Sequence, residues 1–263
     1  MQRLLVIGAH PDDAEFHAGG LMRQWANAGH QIRILCLTDG GAGHHTLPPA
    51  ELVEIRKDEA AAAAGLLGAE LEIWNTADGT LQPTLPLRHD LIRAIRGYAP
   101  DLIVTHRPAD YHPDHRATAQ LVQDACYLLQ VPNVVSDTPA LASVPPVLLA
   151  WDRFTYPRPF RGDCVIDTAA VLDEVVALLD CHASQVYEWL PHTQGMSAPA
   201  TNRMSWLKQW YAPRPAYVAK RFATDEVEYA EAFEVSEYGG AFDATTLPLE
   251  TMSMQSVSKH LNQ

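Results

Sequence analysis

The sequence is short of positive charge. Its 263 residues hold 19 lysines and arginines against 32 aspartates and glutamates, a formal net charge of −13. No basic run overrides that average, which argues against a chain that grips phosphate backbones and so against nucleic acid as a partner. Long apolar runs are missing too: nothing approaches the roughly 20 apolar residues of a membrane span. The opening MQRLLVIGAHPDD has too short an apolar core, too soon interrupted by charge, to read as a secretory signal. No membrane partner is expected, and the cytoplasm is the expected location. The cysteines are Cys36, Cys126, Cys164 and Cys181, and no two have C-x-x-C spacing, which speaks against a cysteine zinc cluster. Cys36 and Cys126 lie in apolar runs and read as buried thiols. After the first strand-like run there is no G-x-G-x-x-G; the chain writes Gly-Ala-His-Pro-Asp-Asp instead, which removes a dinucleotide-dependent oxidoreductase. Neither a repeat nor a clear linker divides the chain, so one domain over 1–263 is expected.

What is present is ample apolar material, 47% of residues, enough for a sizeable core. Short runs rich in branched residues at 3–9, 31–38, 70–74, 101–106 and 146–151 read as buried strands. Between them lie helical patterns at 17–28, 50–68 and 87–98, with a further helix starting near Arg116. Gly29 and Gly68 stand where helices should stop. The segment 39–49 is a Gly/Pro-rich loop. Later, 168–185 reads as a helix, 191–203 as a loop, and 229–235 as a late strand or edge element, with a polar tail from about Thr245. Strands alternating with helices predict an α/β, Rossmann-like three-layer sandwich with a mostly parallel sheet. In such folds ligands sit beyond the carboxyl ends of strands, where strand order reverses. The common orders put that reversal beside the first strand, against the third or fourth.

Two stretches then stand out: GAHPDDAEF at 8–16 and HRPADYHPDHRAT at 106–118. Each holds His-Pro-Asp just after a predicted strand, the first and the fourth. Either alone is ordinary turn and cap chemistry. Together they place His10, Asp12, Asp13, His112, Asp114 and His115 at one switch point. Two imidazoles and a carboxylate suit a catalytic zinc, which keeps a position open. One aspartate then remains as a base and one histidine as an acid or oxyanion partner. Two histidines and one aspartate also suit Fe(II).

AHPDDAEFHAGG and HRPADYHPDHRAT resemble the paired signatures of the LmbE-like (PIG-L-like) zinc-dependent N-deacetylases. Arg56, Glu59, Asp78-Gly79, His182-x-Ser184-Gln185 and Glu231-Ala232-Phe233 extend the resemblance over most of 3–235. The resemblance implies His10, Asp13 and His115 as metal ligands, Asp12 as the base that activates water, and His112 as the group that stabilises the oxyanion and helps the amine leave. Asp114 is then expected to hold His112 in place. Arg56 and Asp78 match positions that bind sugar hydroxyls in relatives; their plainer reading is a helix salt bridge and an Asp-Gly turn. The implied substrate is a small N-acetylated amino sugar or sugar conjugate of the N-acetylglucosamine type, cleaved to free amine and acetate. A homo-oligomer is the implied assembly. Another amide, or a non-haem iron enzyme on the same ligands, is the alternative, though the parallel α/β pattern argues against an oxygenase.

The sequence departs from the family at His17, where relatives usually carry a small residue, and at Asp110, where some carry a tyrosine; here Tyr111 follows instead. His17 reads as a helix-face histidine or an extra polar wall of the site, His44 and His45 as exposed loop residues or as loop residues that approach the substrate, and His182 as structural. Loops 39–50, 76–86 and 186–215 are expected to set specificity. Within the last, Trp189, Trp206, Trp210 and Tyr211 are candidates for a sugar-stacking surface or for core.

Overall fold

Both faces of the first strand are apolar, and both are covered. In β1 (Arg3–Gly8), Leu4 and Val6 pack into one core cluster with Trp25, while Leu5 and Ile7 pack into a second with Leu91, Ile95 and Leu121. Alternate side chains leave opposite faces of a strand, so a run that is apolar throughout needs helices on both sides. The computed structural model, which describes residues 1–247 and 252–253, shows that arrangement. The polar tail expected from about Thr245 lies, past Leu247 and apart from Met252–Ser253, outside the described residues.

In chain order the elements are β1, α1 (Asp13–Asn27), β2 (Gln31–Cys36), α2 (Pro49–Leu67), β3 (Glu70–Ile73), α3 (Leu85–Tyr98), β4 (Leu102–Thr105), α4 (Pro113–Cys126) and β5 (Val147–Ala150). There follow β6 (Cys164–Asp167), α5 (Leu172–Asp180), a π-helical segment (Ser184–Trp189), α6 (Leu190–Thr193), α7 (Arg203–Tyr211), α8 (Pro213–Phe222), β7 (Ala230–Val235) and β8 (Met252–Ser253). The sheet order is β3-β2-β1-β4-β5-β7-β6-β8. The first five strands in that order run parallel, whereas β7 is antiparallel to β5 and β6, and β6 to β8. Among the described residues no helix is long and apolar enough to cross a membrane, and all four cysteines are free.

The five expected strands form, and α2 ends at Gly68, which takes φ 64°, a left-handed conformation that glycine adopts freely. Several boundaries move. The first helix begins at Asp13 rather than near 17, and the fourth at Pro113 rather than near Arg116. In the fourth, Pro113 supplies a helical φ at the first position and His112 caps it by accepting the Asp114 N–H. Both His-Pro-Asp motifs therefore feed directly into helix N-termini. The helix expected over 168–185 is broken: α5 stops at Asp180, and the π-helical segment begins at Ser184. Residues 229–235 form a strand that is internal rather than an edge, paired on both sides. The strand β6 and the helices α7 and α8 were not anticipated, being short and framed by proline and arginine rather than by a clear apolar period.

Candidate metal centre

β1 and β4 are neighbours (Val6 opposite Val104), and the strand order reverses between them. Their carboxyl ends deliver the two motifs to one place. After β1 the chain turns sharply. Asp12 takes φ 123°, and such left-handed conformations cost non-glycine residues about 1–3 kcal/mol. The turn is held by Arg56, whose guanidinium donates to the Pro11 carbonyl and pairs with Asp12 Oδ1 at 2.9 Å. Asp13 folds back beneath it, Oδ2 accepting the N–H groups of Ala9 (2.9 Å) and His10 (2.7 Å). A Cβ at Gly8 would come within 2.8 Å of Asp13 Cβ, so this strand must end on glycine.

Three of the predicted residues form a small triangle. His10 Nδ1 lies 3.4 Å from Asp13 Oδ2, His115 Nε2 lies 3.2 Å from Asp13 Oδ1, and the two nitrogens are 3.3 Å apart. Ligands about 2.0–2.1 Å from a tetrahedral metal stand ~3.3 Å from one another, so the spacing fits a metal ion. His112 adds a nearby imidazole: His10, His112 and His115 form one group of potential ligands. Both ligand-like imidazoles have carboxylates behind them. His10 Nε2 lies 3.1 Å from Asp78 Oδ1 and 3.4 Å from Asp114 Oδ2, and His115 Nδ1 lies 3.0 Å from Asp110 Oδ1. Carboxylates in that position fix a metal-binding histidine's tautomer and raise its basicity.

The electrostatics point the same way. Burial alone would depress both imidazoles. The carboxylates of Asp114, Asp13 and Asp78 nevertheless hold His10 well above its ordinary value, and Asp13 and Asp110 push His115 up to about 9. Burial likewise disfavours the Asp13 carboxylate, yet His115 and His106 hold it well below the usual range. The cage draws positive charge inward, as a cation site should. Asp12 differs: burial raises it to about 6, with the Arg56 guanidinium only partly opposing. His112 moves down, through burial and then the neighbouring His10 and His115.

All eight predicted site residues meet here, and the Asp114 side chain has a different partner from the one expected. The Asp114 carboxylate does not hold His112. It accepts the N–H groups of Gly79 (2.7 Å) and Leu81 (3.2 Å) and faces His10; it is the Asp114 backbone N–H that binds His112 Nδ1, at 3.2 Å. Asp78 is engaged by His10 and by the Ala42 N–H, and Arg56 by Asp12, Pro11 and Gly40. Both line the cleft, with polar atoms already engaged by His10, Asp12 and nearby backbone groups.

Other expectations shift as well. His17, on α1, is a polar wall of the cleft rather than a plain helix-face residue, and it accepts from Arg214 at 3.0 Å. His44 is tied to Glu188 (3.0 Å) with its side chain covered, whereas His45 is exposed as expected and stacks on His192 with centroids 4.0 Å apart. Trp206 and Trp210 stack on each other beside the core cluster that buries Tyr211; of the four aromatics considered, Trp189 is the one that lines the cleft. The supporting motifs act as braces. Glu59 accepts the N–H and the hydroxyl of Ser184 (both 2.7 Å), and Gln185 donates to the Gly43 carbonyl (3.1 Å). Buried His182 lies 3.4 Å from Glu15. Sequence reasoning missed His106, whose ring stacks on His115 at 3.9 Å, and Arg214. His106 could have been found from its place at the end of β4; Arg214, on a helix near the other end of the chain, left no signal.

The cleft above these residues has a volume of about 540 Å³, within the usual range for a small-molecule site. A family profile described as PIG-L: GlcNAc-PI de-N-acetylase matches residues 5–126. A 4-oxalmesaconate hydratase from Pseudomonas putida is 26% identical over 198 residues, 72% of this chain and 76% of the relative. A diacetylchitobiose deacetylase from Thermococcus kodakarensis is 25% identical over 203 residues, 73% and 75% of the two chains. An uncharacterized deacetylase from Escherichia coli K12 is 30% identical over 133 residues, 47% of this chain and 67% of its own. The fold matches that of an N,N'-diacetylchitobiose deacetylase from Pyrococcus horikoshii with a TM-score of 0.74 at 22% identity, covering 90% of this chain and 84% of the other.

Proposed function

We propose, because this chain belongs to the PIG-L (LmbE-like) family, that it is a metal-dependent deacetylase acting on an N-acetylated amino sugar or sugar conjugate, releasing free amine and acetate. The observation that carries the reading is the triangle of His10 Nδ1, Asp13 and His115 Nε2, with edges of 3.2–3.4 Å, set beside Asp12 in the cleft. These three residues would hold the metal, with zinc the best match to the donor set and Fe(II) the alternative. Such an ion, when bound, polarises the acyl carbonyl and makes water more acidic.

The protein groups do the rest. Asp12, raised to about 6 by burial, is ionised at neutral pH yet basic enough to take a proton from the attacking water. Arg56 fixes its orientation. His112 accepts the Asp114 N–H at Nδ1, so its neutral ring carries its proton on Nε2. That proton can hydrogen-bond the oxyanion as the carbonyl carbon becomes tetrahedral. Collapse of the C–N bond, with a proton passed to nitrogen, then yields amine and acetate. The cleft's size and Trp189 in its wall suit a sugar. Four free cysteines agree with a reducing, cytoplasmic location.

Acetate release is the test, from a panel of N-acetylated amino sugars and conjugates, with zinc-loaded, chelator-stripped and Asp12→Ala protein. Metal-dependent release that is lost in Asp12→Ala, with bound metal retained, supports the reading; release that survives either change overturns it. The Pseudomonas putida relative favours a second reading, addition of water to an unsaturated acid, since it matches as much of this chain as the sugar deacetylase does. Loss of the conjugated acid's ultraviolet absorbance without acetate release would select it.

A further inference from the structure

Arg214 is an inward-facing guanidinium without a carboxylate. It lines the metal cleft with His17 and Tyr111, donates to His17 Nδ1 at 3.0 Å, and lies over the Trp151 ring at 4.9 Å. The other inward arginines are matched. Arg56 pairs with Asp12, Arg107 with Asp152 and Glu234, and Arg96 is ringed by backbone carbonyls from Leu128 to Thr138. Among the described residues Arg214 has no ion pair. The acids near enough to act on it are held elsewhere. Asp110 faces His115 and accepts the His112 N–H, and Glu231 accepts the N–H groups of Gly20 and Leu21. Arg214 also stands in the first turn of α8, where a helix dipole disfavours a cation. A guanidinium kept in so unfavourable a place, with most of its five N–H donors unmatched by protein, suits a planar anion from outside.

We propose that Arg214, oriented by His17, binds a carboxylate of the substrate, so that the compound cleaved here is an N-acetylated amino sugar or conjugate that also carries an acid group. This rests on the deacetylase reading above and narrows its substrate class. His17 and Tyr111 make the adjoining wall. The acid group lies on their side of the metal site, and the acetamide lies at Asp12 and His112.

The experiment uses N-acetylglucosamine derivatives with a carboxylate at the aglycone, at O3 as a lactyl ether, or at C6 as a uronic acid, each beside its neutral methyl-amide partner. Acetate release and calorimetric binding are measured on zinc-loaded wild type, Arg214→Gln and Arg214→Lys. At least one acid should be preferred over its neutral partner by on the order of ten- to hundred-fold in kcat/KM. That preference should vanish in Arg214→Gln and shrink in Arg214→Lys through a higher KM with kcat held. Should Arg214→Gln fail to fold, the KM rise in Arg214→Lys carries the test. No preference in wild type, or one that both variants keep, overturns the proposal. Equal acetate release from acid and neutral forms leaves the deacetylase reading standing and removes the acid subsite. Arg214-dependent binding of an acid without acetate release does the reverse.

Discussion

Asp78 and Asp114 approach one imidazole, that of His10, from outside the proposed metal triangle, at 3.1 and 3.4 Å. Carboxylates placed so set which nitrogen is free for the metal, and their loss typically weakens metal binding 10–100-fold. Asp78→Asn is therefore expected to raise the zinc dissociation constant by about 10–100-fold in a competition titration against a chelating dye, while the sheet stays folded. A residue that only touched sugar would leave zinc affinity alone. His112 is the complementary case. It is anchored by a backbone N–H rather than by a carboxylate, and it touches the substrate oxygen in the proposed reaction. His112→Ala should lower kcat by about 10²–10³ with KM little changed, read from steady-state acetate release.

The helix α1 shows how an element is held together by a residue distant in sequence. Its path breaks at Ala18 (φ −143°), which orphans amide groups in mid-helix. Glu231, from β7, accepts two of them, Gly20 N–H at 2.6 Å and Leu21 N–H at 2.9 Å. The break follows His17 and so belongs to the shaping of the cleft. Burial raises Glu231 from 4.5 to about 7, against the pull of those N–H groups. The folded chain therefore keeps a proton on Glu231 that the unfolded chain releases between pH 4.5 and about 7. Where the folded state binds more protons, stability falls as pH rises. From pH 4.5 to above pH 7 this group should cost about 3 kcal/mol. Urea unfolding of wild type and Glu231→Gln across that range checks it. The difference between them, wild type minus variant, should decline with rising pH by that order; a flat difference would sink the idea.

At the scale of the whole molecule, the parallel strands and the antiparallel ones form one sheet, and β7 joins them. Phe233 on β7 is fully buried in the cluster that holds Leu4, Val6, Trp25 and Leu148. An edge strand would leave it tolerant of truncation. As an internal strand paired on both sides, β7 makes Phe233→Ala costly, about 3–5 kcal/mol, measurable as a shift of the urea midpoint. The same strand positions Glu231 on α1 and Glu234 on Arg107 and Arg158. Core, helix break and cleft wall are thus linked through one element.

The sequence by itself determined the parallel strands, the switch point and the meeting of the two motifs there; the choice of His10, Asp13 and His115 among their six side chains came from the family resemblance. The first three depend on local pattern: apolar runs too continuous for a one-faced sheet, and two His-Pro-Asp turns that close within a few residues of their strands. It did not determine the tasks of Arg56, Asp78 and Asp114. A side chain's partner depends on what arrives from elsewhere, here the loop at Ala42, the turn at Gly79 and the motif at His10. Nor did it reveal β6, the internal place of β7, or Arg214, since antiparallel pairing and the cleft wall are built from contacts between residues far apart in the chain, such as Leu148 opposite Val235. His17 and Arg214 are 197 residues apart in the chain and 3.0 Å apart in space. Only the tertiary structure could decide that they meet, because burial beside the His/Asp cluster, and no periodicity along the chain, brings them together.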